Sequence, residues 1–404
     1  MPLVLYRKYR PQTFAEIINQ KHIVQTLTNA ISSGMISHAY LFTGPRGTGK
    51  TTVARLLAKA VNCENRKSGE FEPCNICSSC TEIMEGRSMD LIEIDAASHR
   101  GIDDIRELKD GIRFVPTKSK YKVFIIDESH QLTKEAANAL LKTLEEPPVH
   151  AIFVLATTEV YKMIPTIISR CQRFDFRKLT VPEIIKRLEV ISGKEKVKVV
   201  EALPHLPPHP ASQGSVIEKT ALELIALNSG GSIRDAESLL DQAITFSGNL
   251  NRELKAQDIK EILGLIEVET VSEFTDFLCQ KKASEAINFL NEITEKGFDL
   301  QEFTKALINY LRQALILKIM GDSNPPTTLS PSAGPSTGSP SNPIVSGLTK
   351  EELEKLKNHA TIFKETELQN ILNLLLDAEN KMKYSPIPQL PLELAIIEAT
   401  GPKE

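Results

Sequence analysis

Over residues 1–178 the chain alternates short apolar runs with stretches whose apolar positions recur every three to four residues. Runs of four to seven apolar residues are the pattern of strands covered on both faces, and the 3.6-residue period is that of helices packed by one stripe. The strand candidates are HAYLFTG (38–44), DLIEID (90–95), KVFIID (122–127), AIFVLAT (151–157) and RFDF (173–176). Strands separated by helices predict a parallel α/β sheet. Beyond about residue 178 the strand signals stop and helical periodicity takes over. Thr180-Val-Pro-Glu183 predicts a capping box on a short helix, Ser232-Ile-Arg-Asp235 a second N-terminus, and Thr349-Lys-Glu-Glu352 a third. Two stretches break the helical pattern. Residues 201–215 (EALPHLPPHPASQGS) and 321–347, the latter rich in Pro, Ser, Gly and Thr, are of low complexity, bury too little to offset their ordering entropy, and are expected as disordered surface loops.

Composition narrows the class. A chain of 404 residues is expected to hold two or three domains, and 41% hydrophobic with 25% charged residues is the make-up of a globular protein. No apolar run reaches the ~20 residues of a membrane span. The N-terminal MPLVLYRKYRP carries charges where a signal peptide needs an apolar core, so a cytoplasmic location is expected. The net charge of −4 does not advertise nucleic-acid binding by the chain as a whole; contact with DNA is expected only through a local patch or a larger assembly.

The candidate chemistry begins at GPRGTGKT (Gly44, Pro45, Arg46, Gly47, Thr48, Gly49, Lys50, Thr51), which fits G-x-x-x-x-G-K-[ST] and is followed by Thr52. It leaves a strand candidate and enters a helical pattern, the setting in which backbone N–H groups close around a phosphate at a helix N-terminus. Lys50 would reach the β- and γ-phosphates and Thr51 would bind Mg²⁺. A hydrolytic site needs a second acidic element, and KVFIIDESH ends a strand candidate in Asp127 and Glu128. Asp127 would hold Mg²⁺ through water and Glu128 would polarise the attacking water. Arg170 and Arg234 follow at helix boundaries; either could stabilise charge on a γ-phosphate, and either could be an ordinary surface arginine. Four of the six cysteines lie at Cys63-x10-Cys74-x2-Cys77-x2-Cys80. Disulfides are disfavoured in a reducing compartment, and a ferredoxin-type cluster lacks its further Cys-Pro. Four thiolates suit tetrahedral zinc with no open position, against the alternative of unligated thiols. Cys171 and Cys279 stand alone and are expected as buried apolar residues.

With these motifs in place, the chain resembles the gamma/tau family of bacterial DNA polymerase III clamp-loader subunits, AAA+ ATPases. The resemblance runs from residue 1 to about 320 and returns near the C-terminus. It rests on YRKYRPQTFAEIINQKHIV, HAYLFTGPRGTGKTTVARLLAKAVNC, DLIEIDAASHRGIDDIREL, NALLKTLEEPP, LATTEVYKMIPTIISRCQRFDF and GGSIRDAESLLDQA. It implies a P-loop ATPase domain with a five-stranded parallel sheet (1–178) and a zinc module at 63–80. A small helical lid (179–248) and an all-α oligomerisation domain (249–404) would follow. It implies Arg170 as an arginine finger serving the neighbouring subunit, Thr158 as the first sensor of the γ-phosphate with Thr157 the alternative, and Arg234 as the second sensor, acting in cis. Tyr6–Pro11 would lie beside the adenine; without the family, that arm reads equally as a solvated basic segment. ATP, Mg²⁺ and structural Zn²⁺ are the implied cofactors. The implied partners are delta and delta-prime subunits, further copies of the chain, the sliding clamp and, through the assembly, primer-template DNA. Membership of that holoenzyme would class the protein with the DNA-directed DNA polymerases. Relatives often carry Ala or Val where this chain has Ser129, a change that leaves Asp127 and Glu128 in place. The two low-complexity insertions have no recognised counterpart, and the chain is expected to stop near the end of the third domain, without the tail of longer tau-like forms. Two other functions compete. Intact Gly49, Lys50, Thr51 and Glu128 argue against a non-catalytic scaffold of the delta-prime kind. Few basic residues and no stacking aromatic beyond Phe71 argue against the cysteine cluster as a DNA reader.

Overall fold

The computed structural model describes residues 3–67, 69–98, 111–112, 114–201, 216–248, 253–264, 266–320 and 350–401. Residues 202–215, 321–347 and the cap at Thr349 lie outside them, so the loop and capping expectations there have no structural counterpart to compare. The chain divides into two compact units, Met1–Ile259 and Lys260–Glu404.

The first unit is built on a parallel sheet of β1 (Ala39–Thr43), β2 (Leu91–Asp95), β3 (Lys122–Asp127), β4 (Ala151–Thr157) and β5 (Gln172–Asp175), in the order β2-β3-β4-β1-β5. All four pairings are parallel, with Leu41 opposite Leu155 and Ile126 also opposite Leu155 across the two sides of β4. The expected strand order along the sequence therefore becomes five strands in one sheet, each within a residue or two of its predicted bounds.

Helices cover both faces, which is why the central strands β1, β3 and β4 carry unbroken apolar runs, while the flanking β2 and β5 keep exposed polar positions. On one face Tyr40, Phe42, Val123, Ile125, Val154 and Phe174 pack against α2 (Lys21–Ser33) and α3 (Lys50–Asn62). On the other, Leu41, Phe124, Ile126, Phe153 and Leu155 pack against α5 (Lys134–Glu145) and α6 (Pro165–Ile168). Phe124 and Phe153 stack at 5.2 Å, both fully buried, and each such ring contributes roughly 1.5–3 kcal/mol over exposure. A short α1 (Leu5–Lys8) precedes α2, and α4 (Ser78–Glu85) follows the cysteine-bearing segment.

After β5 the chain forms α7 (Val181–Lys194), α8 (Lys219–Asn228) and α9 (Ile233–Ser247). The Thr180 and Glu183 box caps α7, which runs fourteen residues and is longer than expected; Ser232 caps α9 through the Asp235 N–H. The expectation that strands end near residue 178 is corrected. β6 (Lys198–Val200), β7 (Val216–Glu218) and β8 (Glu253–Leu254) form a second parallel sheet in that order. Strands of two or three residues contain a single alternation, too little to register as a period.

Past α10 (Ala256–Ile262), the second unit is helical: α11 (Val268–Cys279), α12 (Ala283–Glu295), α13 (Leu300–Met320), α14 (Lys350–Ile362), α15 (Glu365–Met382) and α16 (Leu390–Thr400). Its core gathers Phe274, Phe303, Leu307, Leu311, Leu356 and Leu368, with Phe274 and Phe303 edge to face at 5.1 Å. Cys171 and Cys279 are half-buried, packed against the sheet core and the helical core respectively, not fully enclosed as expected. Among the described residues no helix is long and apolar enough to cross a membrane.

A phosphate loop, an acidic edge and a cysteine cluster

Strands β1, β3 and β4 finish at one edge of the sheet, the edge at which parallel α/β folds bind ligands. The loop after β1 is pinned from both sides: the Gly44 N–H donates to the Thr157 carbonyl at 3.2 Å, and the Phe176 N–H donates to the Thr43 carbonyl at 2.7 Å. Gly44 must be glycine, because a Cβ would stand 2.4 Å from the Phe176 carbonyl oxygen. Gly47 has φ +73° and would put a Cβ 1.8 Å from Ser232 Oγ. Its carbonyl accepts from the Ile233 N–H at 3.2 Å, so the first turn of α9 docks directly on the loop.

Lys50 opens α3 and is 6% exposed. Burial pushes its ammonium below the ordinary lysine range, against the pull of Glu128 and Asp127. Its Nζ donates to the Gly44 and Pro45 carbonyls at 2.7 and 2.8 Å, folded back over the loop. Thr51 Oγ1 donates to Asp127 Oδ2 at 2.7 Å, which places the two expected magnesium groups side by side. Glu128 takes a left-handed φ of 46°, uncommon for a non-glycine residue and frequent at functional positions. Its Oε2 accepts from Thr158 Oγ1 at 3.0 Å. Thr157 points elsewhere, its Oγ1 lying 3.0 Å from His130 Nδ1. Ser129 is buried and donates to the Ala156 carbonyl at 3.0 Å, so the residue that departs from the family pattern ties the acidic turn to β4.

These residues share a cleft. Arg46 to Thr52, Asp127, Glu128 and Arg234 line it together with Tyr6, Arg10, Pro11, Glu16, Ile17, Ile18, Leu179, Arg187, Ile233 and Glu237. Arg234 stands over the Tyr6 ring at 4.8 Å. Gly44 and Pro45 contribute through the carbonyls that hold Lys50, and Thr158 through Glu128. Arg170 is not among the lining residues: it pairs with Glu145 at the end of α5 and donates to the Thr166 carbonyl at 2.8 Å.

Several lining or flanking residues were not singled out from the sequence, His130, Arg187 and Glu237 among them. His130 sits with Nε2 3.0 Å from Glu159 Oε2 and Nδ1 3.4 Å from Glu128 Oε2; its place in DESH was the available signal. Arg187 donates to Glu237 Oε1 at 3.2 Å and to the Tyr9 carbonyl. Glu237 follows Arg234 by three positions, hence on the same face of α9, but nothing in the sequence marks Arg187 as its partner.

Burial pushes the Glu237 carboxyl up to about 7, although Arg187 and Arg10 pull it down. An unfolded glutamate titrates near 4.3. The folded chain therefore holds an extra proton between these values. The stabilisation is fully present below the unfolded value and is lost as pH rises through about 7. Urea unfolding of the wild type should weaken between pH 5.5 and 8 by about 2 kcal/mol relative to Glu237→Gln. Parallel pH profiles for the two proteins would contradict the assignment.

The cysteines form a separate centre. The Sγ atoms of Cys63, Cys74, Cys77 and Cys80 all lie within 4.8 Å of one another. Thiolates at ~2.3 Å from a tetrahedral ion stand about 3.8 Å apart, so the set fits a four-coordinate metal with no open position. The Cys74 N–H donates to Cys63 Sγ and the Cys77 N–H to Cys74 Sγ, both at 3.3 Å. At Cys74 burial opposes ionisation, but the Ile76 and Cys77 N–H groups bring the thiol down to about 6. Burial raises Cys63 and Cys80, and a dication's own charge would oppose that.

Comparison with known proteins places this geometry. Family models match at residues 19–180 (DNA polymerase III, delta subunit), 211–249 (DNA polymerase III clamp loader subunit, ATPase lid domain) and 254–335 (DNA polymerase III subunits gamma and tau domain III). The chain is 40% identical over 400 residues to DNA polymerase III subunit tau of Bacillus subtilis, covering 98% of itself and 62% of that protein. It is 35% identical to the tau subunit of Escherichia coli, covering 98% and 55%. It is also 35% identical over 398 residues to subunit gamma of Buchnera aphidicola from Acyrthosiphon pisum, covering 98% and 97%. The chain thus spans a little over half the length of these tau relatives and nearly all of that gamma relative. Among solved structures, the Thermotoga maritima RuvB branch-migration motor matches over 67% of this chain and 78% of its own, at 18% identity and TM-score 0.44.

Proposed function

Because the chain belongs to the gamma/tau family of DNA polymerase III subunits, we propose that it is the ATP-hydrolysing motor of a clamp loader, placing the sliding clamp on primed DNA. The observation that carries this reading is the cleft itself. Lys50, Thr51, Asp127 and Glu128 converge at one sheet edge, and the lid helix α9 rests on the loop through Gly47 and Ile233. In this reading residues 1–178 are the ATPase core, 179–248 the lid and 249–404 the domain through which copies assemble with delta and delta-prime subunits.

Each residue then has a task. The N–H groups around Gly47–Lys50 and the positive end of α3 hold the β-phosphate. Lys50 exchanges the Gly44 and Pro45 carbonyls for phosphate oxygens. Thr51 and Asp127, already 2.7 Å apart, hold Mg²⁺. Glu128 takes a proton from the attacking water, and Thr158, bonded to Glu128 in this structure, turns to the γ-phosphate. Arg234 approaches the same phosphate from the lid, leaving the Tyr6 ring. Zn²⁺ at the four cysteines supplies folding stability, not catalysis. The chemistry of the chain is hydrolysis; strand synthesis belongs to other subunits of the holoenzyme.

The test is reconstitution. With delta, delta-prime and clamp, the chain should leave clamp on primed circular DNA in the presence of ATP and not of ADP. Clamp retention independent of the nucleotide would refute the motor role.

A further inference from the structure

The segment Gln12–Ile18 reaches the cleft without a capping residue of its own. Phe14–Glu16 form a 3₁₀ turn whose preceding Thr13 offers no side-chain cap, leaving N–H groups that need acceptors. Glu72 supplies them from 58 residues away: its Oε2 accepts from the Phe14 N–H at 2.9 Å and its Oε1 from the Ala15 N–H at 3.0 Å. Lys59, 2% exposed on α3, holds the same segment from beneath, donating to Gln12 Oε1 at 2.8 Å. The residues that follow this turn, Ile17 and Ile18, line the cleft.

Glu72 lies in the ten-residue gap between Cys63 and Cys74, two positions before the latter. Arg66 ties that gap to α3, donating to the Ala60 carbonyl at 2.8 Å and to the Glu70 carbonyl at 2.7 Å. A metal held by Cys63 and Cys74 would join the two ends of this gap and so restrain the Glu72 carboxylate. Besides the phosphate loop, the cleft is lined by Tyr6, Pro11, Ile17 and Ile18, whose apolar surface suits the faces of a base and is taken as its base end, and by the charged Arg10, Glu16, Arg187 and Glu237.

We propose that the cysteine module braces the base end of the cleft, with Glu72 as the positioning residue that sets Ile17 and Ile18 through the backbone at Phe14 and Ala15. The inference rests on the nucleotide reading of the cleft. It gives the metal centre a functional connection to ligand binding while keeping it out of the chemistry. Two charge-assisted hydrogen bonds made by a half-buried carboxylate are a coupling of useful size.

The experiment compares ATP with inorganic tripolyphosphate, which fills only the phosphate end. Both are titrated against the full chain by competition with a fluorescent ATP analogue, with zinc content measured in parallel. Glu72→Ala should keep about one zinc per chain, bind tripolyphosphate like the wild type, and lose about 5- to 30-fold in ATP affinity. Glu72→Gln, which keeps one acceptor oxygen, should fall between. Stripping the wild type of metal should reproduce the ATP-selective loss. Unchanged ATP affinity in Glu72→Ala, or equal losses for both ligands, would overturn the brace. A wild-type chain that binds neither ligand would overturn the nucleotide reading beneath it.

Discussion

Lys50→Ala should lower ATP affinity by at least ~100-fold, the loss expected when a buried cation is removed from several phosphate oxygens. The residue stands at the first position of α3, folded onto the Gly44 and Pro45 carbonyls by bonds of 2.7 and 2.8 Å. Burial works against its charge, with Asp127 and Glu128 its compensating neighbours. Bringing a triphosphate to the loop adds negative charge on the side that lacks it, so the ammonium is held more firmly with ligand than without. Alanine removes that charge and leaves, at the loop itself, the N–H groups and the dipole of α3, whose contribution is typically 0.3–1, at most ~2 kcal/mol. Lys50→Arg should not rescue, because a planar guanidinium cannot follow the ammonium between two carbonyls already within 3 Å. Calorimetric titration checks the loss, with circular dichroism to show a folded chain. Undiminished affinity in a folded Lys50→Ala protein would remove the phosphate assignment.

The parts legible in the sequence were those written locally. The central strands β1, β3 and β4 could be read because they are buried on both faces and therefore carry unbroken apolar runs, and the flanking β2 and β5 from the shorter runs LIEID and RFDF beside them. The loop Gly44–Thr51 could be read because backbone geometry demands glycines at fixed positions: Gly44 abuts Phe176 and Gly47 abuts Ser232. The cysteine set could be read because ligand spacing is itself local, and its sulfurs do converge. Contacts between residues that are individually ordinary were not legible. Glu72 looks like any surface acid until its oxygens are found on Phe14 and Ala15. Arg187 and Glu237 are 50 positions apart, and Glu237 becomes notable only when burial lifts its carboxyl to about 7. The sheet β6-β7-β8 escaped because its strands are shorter than any periodic signal.

The docking of α9 on the loop has a mechanical implication. Gly47 belongs to the phosphate loop and Ser232, Ile233 and Arg234 to the lid, yet the Gly47 carbonyl accepts directly from the Ile233 N–H. In the proposed ATPase reading, a shift of the loop on phosphate binding would pass to the turn that carries Arg234 through this backbone bond, without an intervening side chain. Gly231 closes the other side of this turn, its carbonyl accepting from the Leu179 N–H at 3.2 Å at the junction between core and lid. In the same reading, a bound phosphate would draw Arg234 off the Tyr6 ring, over which it stands at 4.8 Å here.

Arg170→Ala should leave ATP binding intact and reduce DNA-stimulated turnover of the assembled loader by about 10³-fold or more, the usual contribution of an arginine supplied to a phosphoryl-transfer site. Binding is spared because Arg170 does not line its own chain's cleft. Its side chain is 32% exposed, carried just past α6 and held by Glu145 and the Thr166 carbonyl, a placement from which it can be presented outward. The isolated chain should therefore show the same basal turnover with and without the substitution. A mixed complex separates service in cis from service in trans. Glu128→Gln lacks its base but keeps Arg170; Arg170→Ala lacks the arginine but keeps Glu128. A complex containing both should recover turnover at interfaces where an intact Glu128 faces a neighbour's intact Arg170, and cis action would leave it as inactive as either parent. Wild-type turnover in a loader built wholly from Arg170→Ala chains would end the assignment of this residue to the neighbouring site.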